Sequence, residues 1–141
     1  LLALAWLGRA TGNRRYFGLA GETLDFLDSE MADPAGGYRE SVSGSQWPRR
    51  QNPHMHLFEA LLALYEASGD PSILSRAKSI KTLFDRVFHD AGAGVVREFF
   101  DPDWSRATGD LAAVVEPGHL CEWAWLLHEF CRLSGEPLDP A

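Results

Sequence analysis

The chain has 141 residues, 45% hydrophobic and 23% charged, which suits one globular domain with a real core. Its formal net charge is −7, and "PRR" at Pro48–Arg50 is the main basic cluster, which argues against a nucleic-acid reader and its basic face. No signal peptide, membrane-spanning run or lipidation motif stands out, so a soluble cytoplasmic protein is expected, with no membrane partner.

Apolar residues recur at helical spacing in five stretches, which predicts helices over Leu2–Ala10, Arg15–Met31, Pro53–Ser68, Pro71–His89 and Pro117–Leu133. Three of them close on a small hydroxyl residue followed by glycine, at Gly12, Gly69 and Gly135, which suits a left-handed C-cap. Asp70-Pro71 then reads as an N-cap and first helical residue. Tight turns alternate with two long loops, Ala32–Asn52 and Asp90–Glu116, the second holding "GVVREFF", a candidate strand or hairpin. Alternation of this kind predicts antiparallel helical hairpins, stacked with every long loop at one end. Loops longer than about a dozen residues are usually functional. They carry Trp47, Phe99, Phe100 and Trp104, aromatics for which core packing is not the first explanation. Cys121 and Cys131 lie about 15 Å apart along one predicted helix and are expected to be unpaired, buried thiols.

The two helices that follow the long loops begin alike, "NPHMHLFEA" from Asn52 and "EPGHLCEWA" from Glu116. Each enters through proline and then presents His-Leu-x-Glu: His56 with Glu59, and His119 with Glu122. Residues three apart share a helix face, so each imidazole is expected beside a carboxylate, both pairs at the same rim. Histidine titrates near neutrality and suits proton transfer, and a helix N-terminus favours a developing anion. Asn52 also reads as a plain N-cap, and His54 as either facing solvent or supporting the loop. Metal binding through His54, His56 and Glu59, or His119 and Glu122, is the chemical rival, without the spacing of a strong zinc motif. Arg49 and Arg50 read either as solvated arginines or as a contact for a phosphate.

In "RRQNPHMHLFEALLALYEASGD", "VVREFFDPDW" and "VEPGHLCEWAWLL" the chain resembles the N-acylglucosamine 2-epimerase family, within it the bacterial aldose–ketose isomerases acting on mannose-type sugars. The resemblance implies an all-α fold, an (α/α)6 barrel with its site at the loop end. Residues 1–141 are expected to be its central part, lacking N- and C-terminal helices and a second catalytic histidine. It also implies a sugar isomerase or 2-epimerase working through an enediolate without metal or cofactor. Carried across, His119 is a catalytic histidine and Glu122 its tuning partner, while Asn52 and His56 contact sugar hydroxyls. Arg97 is a weaker sugar contact, and Trp123 fits a pocket wall or the core. A small sugar is the expected partner, with homodimerisation of the full-length protein left open. A glycoside hydrolase on the same barrel and a non-catalytic carbohydrate-binding module are the competing readings.

Overall fold

Three helices stop where the sequence gives them a glycine. In a computed structural model describing residues 1–137, Gly12, Gly69 and Gly135 all adopt the left-handed conformation that caps a helix. The helices are α1 (Leu2–Thr11), α2 (Arg15–Phe26), α3 (Asn52–Ser68), α4 (Pro71–Leu83) and α5 (Pro117–Ser134). The Asp70 side chain accepts from the Ser72 amide at 2.9 Å, the N-cap expected before Pro71. Helices α2 and α4 each run on into one π-helical turn, Leu27–Met31 and Phe84–Phe88, before the chain leaves for a long loop.

Hairpins α1–α2 and α3–α4 pack so that α1, α3 and α5 lie side by side, with α2 against α1 and α4 against α3. Met55, Phe58, Leu61 and Leu64 of α3 are buried between these neighbours, together with Ile73, Ala77 and Ile80 of α4. Trp123, Leu126 and Phe130 of α5 close the core. Phe58 lies 5.6 Å from Trp123 and 5.7 Å from Phe130, centroid to centroid. Burial of each such ring contributes about 2–3 kcal/mol. Cys121 is exposed, off the core face that Trp123, Leu126 and Phe130 define, and Cys131 is half-buried at the margin of the core, so neither is the fully buried thiol expected.

The "GVVREFF" segment forms strands. Strand β1 (Arg49–Arg50) pairs antiparallel with β4 (Phe99–Phe100), while β2 (His89–Asp90) pairs with β3 (Val95–Val96). The first ladder ties one long loop to the other, so the two loops gather at one end as the alternation predicts. Further ties are the Trp104 indole, donating to the Gly36 carbonyl at 2.9 Å, and the Trp47 indole, donating to Asp101 at 3.0 Å. Phe100 and Trp104 belong to the core instead of a free aromatic rim, because the loops fold back over Phe88.

Two buried polar side chains hold the loop layer. Arg49 is 1% exposed, neither solvated nor open to a phosphate. Its guanidinium donates to the carbonyls of Pro102 at 3.0 Å and Tyr38 at 2.9 Å, pairs with Asp33 at 3.2 Å and stacks 3.6 Å from the Trp104 ring centre. His54 is 3% exposed, among Tyr38, Phe88 and Trp104. Its Nε2 accepts from the Tyr38 amide at 3.0 Å, so Nδ1–H donates to the Arg50 carbonyl at 3.1 Å. With both nitrogens used, His54 supports the loop and has no lone pair for a metal. Gly37 has φ of 72°, and a Cβ there would sit 2.7 Å from His54 Nε2, so only glycine lets the loop pass.

Replacing Arg49 with Lys loses the planar fork and the stack, and should cost about 2 kcal/mol in urea unfolding. Burial lowers the His54 pKa from 6.5 to about 4. Below pH 6.5 the unfolded chain takes up a proton that the folded chain refuses, so His54 removes roughly 3 kcal/mol of stability as pH falls from about 6.5 to about 4. His54→Phe should be less stable than wild type at pH 7 by about 1–3 kcal/mol, for two lost hydrogen bonds. That gap should narrow steadily across the same window, measured by denaturant titration at each pH.

Candidate active site

The β1–β4 ladder places Gln51 and Glu98 side by side just beyond its rungs. The Gln51 amide donates to the Glu98 carbonyl at 3.2 Å, and both side chains are buried, at 0% and 4% exposed. Proline at the second position of α3 and the first of α5 starts each helix beside this ladder. His119, in the first turn of α5, projects onto it.

Three side chains surround the His119 imidazole. Glu98 Oε2 and Gln51 Nε2 each lie 3.0 Å from Nδ1, and Asn52 Nδ2 lies 2.9 Å from Nε2. The Trp123 indole N–H, which can only donate, meets Gln51 Oε1 at 2.7 Å. That contact turns the Gln51 NH2 group toward Glu98 Oε2, 2.8 Å away. Nδ1–H then donates to the Glu98 carboxylate, and Nε2 keeps a lone pair facing the Asn52 amide. His119 is 18% exposed through its side chain and Glu98 5%, so the pair sits at the edge of the buried region. Glu98 Oε1 has no hydrogen-bond partner among the described residues.

The expected residues divide. Asn52 and His119 come together, through an Asn52 amide that turns to the imidazole and leaves the helix start uncapped. His56 pairs with Glu59 at 3.3 Å, as the His-Leu-x-Glu spacing predicts, and is exposed. The matching pair on α5 does not form. Glu122 is exposed, and the carboxylate on His119 is Glu98, because the ring turns off its own helix toward the ladder. Trp123 is core and not a pocket wall: it is 1% exposed, and only its indole N–H reaches the polar layer. Arg97 is engaged elsewhere, binding Asp90 through Nε at 3.0 Å and Nη2 at 2.7 Å, with Nη1 on the Ala112 carbonyl at 3.4 Å. Those bonds hold the Asp90 carboxyl below its usual range. Among the described residues no group of three or more His, Cys, Asp or Glu is placed to hold a metal ion, nor does any helix have the length and apolar character to cross a membrane.

Motif spacing singles out neither Glu98 nor Gln51. A signal for Glu98 does exist in the sequence: Val96, Glu98 and Phe100 alternate along one extended run and are all buried. A carboxylate on the inward side of such a run needs a partner. Gln51 carries no comparable signal.

Antiparallel helical hairpins, with a carboxylate-backed histidine where their long loops meet, define the class: part of an (α/α)6 barrel with its long loops gathered at one end. The sequence profile of the N-acylglucosamine 2-epimerase (GlcNAc 2-epimerase) family matches residues 1–139, and the chain belongs to that family. It is 38% identical over 139 residues to a mannose-6-phosphate isomerase of Rhizobium meliloti, covering 96% of this chain and 36% of that protein. It is 31% identical over 108 residues to a cellobiose 2-epimerase of Bacteroides fragilis, covering 77% of this chain and 26% of that protein. The solved structure of a cellobiose 2-epimerase from Spirochaeta thermophila superposes with a TM-score of 0.81 at 27% identity, covering 99% of this chain and 37% of that one. The chain thus spans about a third of the length of the relatives it matches.

Proposed function

We propose that the full-length protein interconverts an aldose with its ketose isomer or its C2 epimer through an enediolate, with His119 carrying the proton. The observation that bears most weight is the placement of His119: Nδ1 lies 3.0 Å from a buried carboxylate and Nε2 faces Asn52 at the loop end. Such an imidazole is ready to act as a base, and the carboxylate balances the charge it gains. Relatives named for isomerisation and for 2-epimerisation share the step that this arrangement serves.

In that step Nε2 takes the proton from C2 of the open-chain sugar. The C2–H electron pair becomes the C1–C2 double bond, and the carbonyl pair moves onto O1. Isomerisation returns a proton to C1, while O1 takes up a proton and O2 gives one up. Epimerisation returns a proton to C2 on the opposite face and restores the C1 carbonyl. The start of α5 adds partial positive charge where O1 becomes an anion. Asn52 serves both protonation states of His119, donating to the free lone pair and, with its amide turned over, accepting from Nε2–H. Asn52 and His56, four apart on one face of α3, are assigned to sugar hydroxyls. Glu122, exposed one turn from His119, is assigned to the substrate and not to tuning the ring.

His119→Ala in the full-length protein should lower deuterium exchange at sugar C2 by about 10²–10⁴-fold, followed by NMR with mannose in D2O. Exchange at the wild-type rate would overturn the assignment. The product separates the two outcomes, fructose from mannose marking an isomerase and glucose an epimerase.

A further inference from the structure

Gln51, Glu98 and Trp123 form a chain of hydrogen bonds whose direction is set at one end. An indole N–H has no acceptor lone pair, so Gln51 must present Oε1 to Trp123. Its NH2 group is then committed to Glu98 Oε2, which needs an unprotonated oxygen there. The same oxygen faces His119 Nδ1. Were the proton on Nε2 instead, lone pairs of Nδ1 and Glu98 Oε2 would oppose each other at 3.0 Å, whereas Asn52 can serve either tautomer by turning its amide. With the proton on Nδ1 that conflict vanishes. The 3.0 Å approach of Gln51 Nε2 to Nδ1 is then a neighbour contact on the way to their shared acceptor.

We propose that Glu98 and Gln51 are positioning residues that lock His119 in the Nδ1–H tautomer, with the sense of the lock imposed by the buried Trp123 indole. Glu98 receives the Nδ1 proton and fixes the ring plane. Gln51 holds the Glu98 oxygen in place and keeps it an acceptor. Trp123 stops the Gln51 amide from turning over. None of the three needs to touch substrate, and Gln51 and Trp123 are too deeply buried to do so. The tautomer is a property of the resting protein, so it stands or falls apart from the proposed reaction that gives it a use.

The test labels histidine with 15N in the full-length protein and reads the two ring nitrogens of His119 by long-range 1H–15N NMR without substrate. The expected wild-type pattern is a protonated Nδ1 and an unprotonated Nε2. In Glu98→Gln the new amide can donate to Nδ1, so the pattern should invert. The C2-exchange kcat should then fall at least 100-fold, with KM within threefold. Glu98→Asp, which keeps the acceptor, should recover at least tenfold of that loss. Trp123→Phe keeps the ring packing but frees the Gln51 amide, and should give a mixture of both tautomers. A wild-type His119 protonated on Nε2, or an Nδ1–H pattern unchanged in both Glu98→Gln and Trp123→Phe, would overturn the lock. The wild-type spectrum decides even where a variant does not fold. An Nδ1–H pattern alongside full C2 exchange in His119→Ala would sink the proposed function and leave the lock intact.

Discussion

The two-rung ladder between Arg49–Arg50 and Phe99–Phe100 is the constraint on which the rest of the site depends. It joins segments about fifty residues apart, and closing such a loop costs entropy that two rungs alone do not repay. Burial on both sides of the ladder makes up the difference. Phe100 goes under it into the core, and Arg49 stacks on Trp104 while it satisfies carbonyls from both loops. Only with the ladder formed do Gln51 and Glu98 stand together, and only then has His119 anything to face.

This explains why the helical frame is legible in the sequence and the site only half so. Helical periodicity, proline entry and glycine exit are local signals, each contained within a turn or two. They predict all five helices, and the bounds differ mainly where π-helical turns close α2 and α4. The alternation of short and long connections likewise predicts that the loops meet. The pairing of His119 is different, because it depends on which residues the loops bring from elsewhere. Spacing along α5 points to Glu122, and within an isolated helix that neighbour would be the natural one. The folded chain offers a buried carboxylate instead, and a buried carboxylate without donors is costly, so Glu98 takes the ring.

The same contrast separates the two histidines of α3. His54 and His56 are two residues apart, which places them on different faces of the helix. One is sealed among Tyr38, Phe88 and Trp104 with both nitrogens bonded, and burial holds it neutral. The other stands exposed and paired with Glu59. Residue type alone would treat them as equals, and the helix face decides that one is scaffold and the other is open to ligand.

The donor-only indole at one end of the Trp123–Gln51–Glu98 chain has a consequence for how such a protein can change over evolutionary time. Each member supplies what the next one lacks, so a lone substitution orphans a buried donor or acceptor at about 1–3 kcal/mol. Exchanging the tryptophan for a residue that accepts would require the amide to turn, and the carboxylate would then need a proton or a replacement. The three positions are therefore bound to drift together or not at all. Covariation among them in related sequences would be the trace of one hydrogen-bond direction handed from a core helix to a loop.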